Sequence, residues 1–453
     1  MTGTSAIDRM IGRSPLWLLF FLTFAVNIYF VSPGVGGVPY RFVLSLVVLA
    51  GLFLLATRQT MNALSRGKAV LLVILYLGVV GFVLAAVRDG LGDAAKILVA
   101  NHVQAVVIFI ATVTGTLLIG RRSMTTAFVA AVLISSLFAL LQAVGIRAAS
   151  DIRDHLGTFY FQDARDVDAM EDRFAGLSYS AIFLGNQLCL AFAVLVCGTV
   201  ARMQRTRRTV GASMPTLREW MVVIAAALLV FVVSLVEGNR SPILGVVVFF
   251  AFAITTRDRR LLFVVVPAVL AVLFFSGPIK DLLAQSGLRA MSTGDKSELA
   301  RNPLMIYGWR LFMAHPLGYG ITFDSKLLVH AVNIGDLSAN ANLNGLTDLF
   351  EDRDLHNYWL AMLNMYGLFL LPAAYFVIRG MIRYWQISLA FVPYMVHVTF
   401  HNGAPLINDY MFWVPLGIFV GSIKMPAAAG QRIAALAGQR ARPSRLRQAP
   451  LRA

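Results

Sequence analysis

DLHNYWLAMLNMYGL, residues Asp354–Leu368, passes from polar to apolar within its first turn, and the chain then stays apolar to about residue 378. His356, Leu360, Leu363 and Gly367 fall at i, i+4, i+7 and i+11, which is one face of a helix. The stretch predicts the start of a membrane helix, with His356 and Asn357 at its water-facing mouth. Near a helix N-terminus the macrodipole disfavours a protonated imidazole. A neutral ring there can take a proton from a hydroxyl. The plainer alternative is a histidine that only hydrogen-bonds to the loop before it.

Composition bounds the rest of the chain. Of 453 residues, 58% are hydrophobic and 14% charged, and the mean hydropathy is +0.73. A soluble domain carries about 25% charged residues. Apolar runs fall near 15–32, 38–57, 69–87, 97–119, 124–145, 176–201, 220–236, 242–256, 261–276, 356–378, 386–400 and 411–423. These are about twelve candidate spans of an all-α polytopic membrane protein. The runs 242–256, 261–276, 386–400 and 411–423 are shorter than the usual ~17–25 residues. Arg9 and Arg13 precede the first run as in an export signal, but no small-residue cleavage site follows, so a retained helix is expected. Cys189 and Cys197 share one apolar run and lack metal-site spacing, which predicts two core thiols.

The net charge of +16 is topological. With the N-terminus placed in the cytoplasm, the cytoplasmic segments hold 24 of the 39 Lys/Arg and 3 of the 23 Asp/Glu. The other side holds 15 basic and 20 acidic residues. This is the positive-inside pattern, and it supports an even span count with both termini cytoplasmic. No nucleic-acid partner is expected.

Two outward loops are long, about 146–175 and 277–355, the second between spans 9 and 10. Residues 302–320, NPLMIYGWRLFMAHPLGYG, predict an interfacial helix closing on His315-Pro316 and a Gly-Tyr-Gly turn. Residues 1–423 are read as one integral membrane domain. Residues 424–453, with seven basic residues and no acid, are read as a disordered cytoplasmic tail lying against anionic lipid.

Several polar residues sit where apolar ones would be cheaper. Arg240 lies in the short outward turn Glu237–Ser241, either snorkelling or as a fixed cation suited to phosphate. Arg301 precedes the predicted interfacial helix and admits the same two readings. Asn101, His102 and Gln104 are read chiefly as hydrogen-bonded packing. His397 and His401 bracket the outer end of the eleventh run. Asp348, Glu351, Asp352 and Asp354 could hold a divalent cation but read first as solvated loop acids.

RFAG at 173–176, NRS at 239–241, RNPLMIYGWRLFMAHPLGYG at 301–320 and HNYWLAMLNMYGL at 356–368 follow one another along the chain. Together, in this order, the four stretches resemble the O-antigen ligase and polymerase family of bacterial inner-membrane glycosyltransferases. Two positions depart from the family pattern: LSYSAIFLGN follows RFAG, and Met305 stands where a tryptophan is expected. The resemblance implies a GT-C-like helical fold and an inverting, metal-independent glycosyltransferase without a cofactor. The donor would be an undecaprenyl-diphosphate-linked glycan. The acceptor would be lipid A-core for a ligase, or a lipid-linked repeat unit for an O-antigen or exopolysaccharide polymerase. Membrane lipids and other polysaccharide-assembly proteins are the further partners implied. By the same resemblance His356 and Arg240 are catalytic, and Arg301, Arg173 and Asn357 bind substrate. The active site would face the periplasm. A glycolipid flippase or other multi-span transporter is the competing class, but it would place its polar residues nearer mid-bilayer.

Overall fold

The computed structural model describes residues 15–30, 34–35, 38–157, 174–208, 216–255, 296–332, 355, 357–400 and 409–423. Apart from a pairing of two two-residue strands, β1 (Gly34–Val35) with β2 (Val38–Pro39), the described elements are helical. In chain order they begin with α1 (Pro15–Tyr29), α2 (Tyr40–Leu55), α3 (Thr57–Asp89), α4 (Leu91–Ile97) and α5 (Gln104–Ala143). Then come α6 (Arg147–Gly157), α7 (Ala181–Arg208), α8 (Leu217–Val236), α9 (Ser241–Thr255) and α10 (Lys296–Ala314). The last are α11 (Tyr358–Tyr366), α12 (Leu370–Arg383), α13 (Trp385–Ala390), α14 (Val392–Phe400) and α15 (Trp413–Ser422).

Among the described residues, five stretches are long and apolar enough to cross a bilayer: Thr57–Asp89, Leu91–Ala143, Ala181–Val200, Leu217–Val236 and Tyr358–Arg383. Four shorter apolar helices accompany them. The apolar runs at 97–119 and 124–145 join in one continuous element interrupted at Gly120, which has φ 83°. The chain turns back there, since a Cβ on Gly115 would lie 3.0 Å from the Met124 sulfur. The run at 261–276, the acid run 348–354 and the tail 424–453 lie outside the described residues.

The core is built around α7, whose Leu184, Leu188, Cys189, Phe192, Val196 and Cys197 are buried. Both thiols are free, as their helical spacing predicts. α15 lies against α5 through small residues four apart. A Cβ on Gly417 would sit 2.7 Å from the Thr112 Cβ, and one on Gly421 2.7 Å from the Thr116 Cβ. Close approach of this kind suits helices that gain nothing from hiding apolar surface in lipid. The threonine hydroxyls are satisfied within their own helix, Thr112 donating to Ile108 O and Thr116 to Thr112 O.

One expectation is corrected and another is met. The helix that begins at residue 358 does not run unbroken to 378. It ends at Gly367, φ 55°, and α12 restarts at Leu370 after a short 3₁₀ turn. The helix expected to close on His315-Pro316 and the Gly-Tyr-Gly turn does close there; it spans Lys296–Ala314 and so begins six residues earlier than expected. It stops before His315 because a residue preceding proline is disfavoured in the α region.

One arrangement explains both boundaries. After α10 the chain folds back onto α11: Leu368 N donates to Pro316 O, Tyr319 N to Asn364 O and Gly320 N to Met365 O. Gly318, φ 92°, lies against the backbone of Gly367. Any side chain at Gly367 would meet the carbonyl carbon of Leu317 at 2.2 Å. The Gly-Tyr-Gly turn and the later Gly-Leu therefore form a backbone stitch, in which only glycine allows both the φ values and the approach.

Candidate functional site at one end of the bundle

Hydrogen bonds between helices gather the relevant ends in one place. The Tyr29 hydroxyl, closing α1, donates to Met411 O at 2.7 Å. Gln187 Nε2 on α7 donates to Tyr29 O at 2.7 Å. Arg41 Nη1 on α2 donates to the Tyr410 hydroxyl at 2.9 Å, and its guanidinium stands 4.1 Å from the Tyr410 ring centre. The mouth of α11, the turn before α9, the end of α14 and the loop before α15 all meet here.

The mouth of α11 is capped by Asn357. Its extended backbone and side-chain Oδ1, which accepts from Leu360 N at 3.0 Å, satisfy an otherwise orphaned helix donor. The family resemblance implies that Asn357 binds substrate; what the structure shows is its role as the helix cap. Tyr358 is buried. Trp359 Nε1 donates to Thr399 Oγ1 on α14 at 2.9 Å. His356 lies outside the described residues, between Leu355 and Asn357.

The turn before α9 is equally determined. Asn239 N donates to Ser234 O at 3.0 Å, Gly238 takes φ 71°, and Leu244 N donates to Arg240 O at 3.0 Å to open α9. Arg240 is thus a half-buried cation at a helix N-terminus, where backbone N–H groups and the macrodipole also favour an anion. α9 then packs on α14 so tightly that a Cβ on Gly245 would stand 2.6 Å from Pro393 Cα. Arg301 lies within α10, whose backbone alone is described there, and Arg173 lies outside the described residues. Of the RFAG stretch, Gly176 is held by Gln142, which accepts from Gly176 N at 2.9 Å and donates to Gly176 O at 3.1 Å.

α14 links the two mouths. One of its residues, Thr399, holds Trp359 of α11. Another, His397, is buried and hydrogen-bonds Ser241 Oγ at 2.7 Å and Ile182 O at 3.1 Å. A third, Tyr394, donates to Asp409 Oδ2 at 2.5 Å. Asp409 is buried and also accepts from Met411 N at 3.1 Å. Burial raises its pKa from the usual carboxylate value to about 6, against the Tyr394 hydroxyl and the Met411 and Phe412 amides, which lower it.

Sequence reading missed Asp409 and Tyr394, and noted His397 without a role. It also missed Arg153 on α6, a buried cation donating to Tyr179 O at 3.2 Å. His102 takes the packing role expected of it, with Nε2 3.0 Å from the Tyr366 hydroxyl.

Long apolar helices joined at one end by buried polar bonds define a multi-pass helical membrane protein. A family model described as O-Antigen ligase matches residues 225–375, and this supports the family that the sequence motifs resemble. The matched stretch contains Arg240, Arg301, His356 and Asn357, whereas Arg173 precedes it. No curated protein matches the chain.

Proposed function

We propose that this protein transfers glycan from an undecaprenyl-diphosphate-linked donor to a hydroxyl acceptor at the periplasmic face of the inner membrane. It acts as an O-antigen ligase or as an O-antigen or exopolysaccharide polymerase in surface polysaccharide biosynthesis. One observation carries this reading: α14 ties the Arg240 turn to the Asn357 helix mouth through His397–Ser241 and Trp359–Thr399. A fixed cation and the mouth that carries His356 thereby share one end of the bundle.

The chemistry follows from that placement. As the glycosidic bond breaks, negative charge grows on the diphosphate. Arg240 at the α9 N-terminus stabilises it, with Arg301 and, from the loop before α7, Arg173 as further cations. His356 orients the acceptor hydroxyl or takes its proton. Single displacement inverts the anomeric centre, without a metal. Twelve GT-C-like spans with cytoplasmic termini, long periplasmic loops at 146–175 and 277–355 and a basic tail at 424–453 complete the proposal. The gathering of Arg41, Arg240 and Asp409 at one end favours this reading over a transporter.

The test is complementation of a deletion strain with Arg240→Ala or His356→Ala, with glycolipids resolved on a gel. Neither variant should restore wild-type glycan. Long polymer left on the lipid carrier identifies a ligase, and single repeat units identify a polymerase. Full rescue by both variants overturns the assigned roles.

A further inference from the structure

The sequence singles out His397, and the proposed reaction does not use it. It lies at 0% relative exposure on α14, and Ser241 beside it is 5% exposed. A serine hydroxyl 2.7 Å from an imidazole nitrogen resembles an activated nucleophile. Burial of both residues leaves no path for a glycan to reach that hydroxyl, so the pair is not a catalytic dyad. Its placement suggests another task, because Ser241 directly follows Arg240 and opens α9.

Counting protons fixes how the pair is wired. His397 Nε2 faces the Ile182 carbonyl at 3.1 Å and therefore carries a hydrogen. The neutral ring then accepts at Nδ1, and Ser241 gives its single hydroxyl hydrogen there. Ser241 Oγ also lies 2.9 Å from the side-chain amide of Asn239. With the hydroxyl hydrogen already committed, that amide presents its NH₂ to Ser241. In the opposite orientation Asn239 Nδ2 is buried and has no partner among the described residues. Turning it gives up only a 3.4 Å contact from Ser241 N. Gly185 leaves the room for this assembly: a Cβ there would come within 2.8 Å of the His397 ring and 3.1 Å of the Asn239 side-chain amide.

We infer that His397 is the positioning residue for Arg240. The relay Ile182 O, His397, Ser241, Asn239 fixes the residues on both sides of Arg240 and so sets where its guanidinium meets the diphosphate of the donor. This deepens the reading under Proposed function and rests on it. Buried hydrogen-bond networks specify one geometry, and misplacement of a charge-stabilising group costs transition-state stabilisation even where the fold survives.

The test uses the full-length protein in detergent, with farnesyl diphosphate as the probe and the complemented deletion strain for glycan output. His397→Asn keeps an acceptor near the Nδ1 position, whereas His397→Gln reaches only toward the Nε2 position and His397→Ala keeps neither. The expected order is probe affinity within about threefold of wild type for Asn. Gln and Ala should each weaken it about tenfold, with glycan output falling in the same order. Arg240→Ala is measured alongside. If Arg240→Ala binds the probe and restores glycan like wild type, the reading of Arg240 itself is wrong. If Arg240→Ala is inactive but Asn, Gln and Ala behave alike, or follow melting temperature alone, His397 is merely structural and the inference is overturned.

Discussion

The two ends of the bundle solve the same problem in different ways. At the end away from the site, α5 and α15 meet through Gly417, Gly421, Thr112 and Thr116, with hydroxyls bonded inside their own helix. Arg66 finishes that end by donating from Nη1 to Gly421 O and Ile423 O, both at 3.0 Å, where α15 leaves carbonyls unsatisfied. At the site end, polar side chains reach from helix to helix: Tyr29 to Met411, Trp359 to Thr399, His397 to Ser241, Tyr394 to Asp409. Buried polar bonds add little net stability, about 1 kcal/mol each, but leaving one partner unsatisfied costs about 1–3 kcal/mol. The packed end holds the helices together, and the polar end sets where their mouths stand.

The largest effect tests the stitch that aligns α10 with α11. Gly367→Ala places a Cβ 2.2 Å from the Leu317 carbonyl carbon at φ 55°. Backbone strain and overpacking together should cost about 4 kcal/mol. Gly380→Ala on α12 has nothing within 4 Å and should gain about 0.5–1 kcal/mol. Melting of the two purified variants measures both. A Gly367→Ala protein as stable as wild type would remove the stitch as the reason α11 ends where it does.

Next in size is a paired substitution that separates the ends by function. Arg240→Ala should lower glycan transfer at least about a hundredfold, or about 2.7 kcal/mol, with melting nearly unchanged. Arg66→Ala should do the reverse, losing about 2 kcal/mol of stability while each folded molecule keeps its transfer rate. Equal losses of specific activity in both variants would erase the division.

The difference between the ends also marks what a single sequence discloses. Apolar runs predict helices at α1, α2, α8, α9 and α15 within a few residues, because burial in lipid depends on composition alone. Asn357 at a helix start follows from the preference for asparagine at N-caps. The break at Gly367 does not follow, since its cause is a turn about fifty residues earlier in the chain. α6 lies inside the stretch 146–175, which the sequence presents only as a long outward loop, and Arg153 lies there with it. Tyr394 and Asp409 are fifteen residues apart and His397 is 156 from Ser241. Such pairings depend on which helices become neighbours, and periodicity carries no information about that.

Asp409 supplies the pH dependence. Its folded pKa of about 6 lies above the ordinary carboxylate value, so between about pH 4 and 6 the folded protein binds more protons than the unfolded chain. Stability therefore falls as pH rises through that window and is level above it, by about 2–3 kcal/mol in all. Asp409→Asn should flatten the melting temperature between pH 4 and 7 relative to wild type. If the variant keeps the full slope, another group titrates and the burial of Asp409 is not its source.

The smallest effect asks whether the polar end positions or merely stabilises. Trp359 is 44% exposed, so its bond to Thr399 is made near solvent and should be worth about 0.5–1 kcal/mol. Trp359→Phe keeps the aromatic packing and removes only the donor. If α14 aligns the α11 mouth, Trp359→Phe should lower melting by no more than a few degrees and still reduce glycan transfer about threefold. Thr399→Val, which removes the acceptor, should reproduce the loss, and the double variant should be no worse than either single one. Additive losses would mean that the two side chains act separately and that α14 does not set the mouth through this contact.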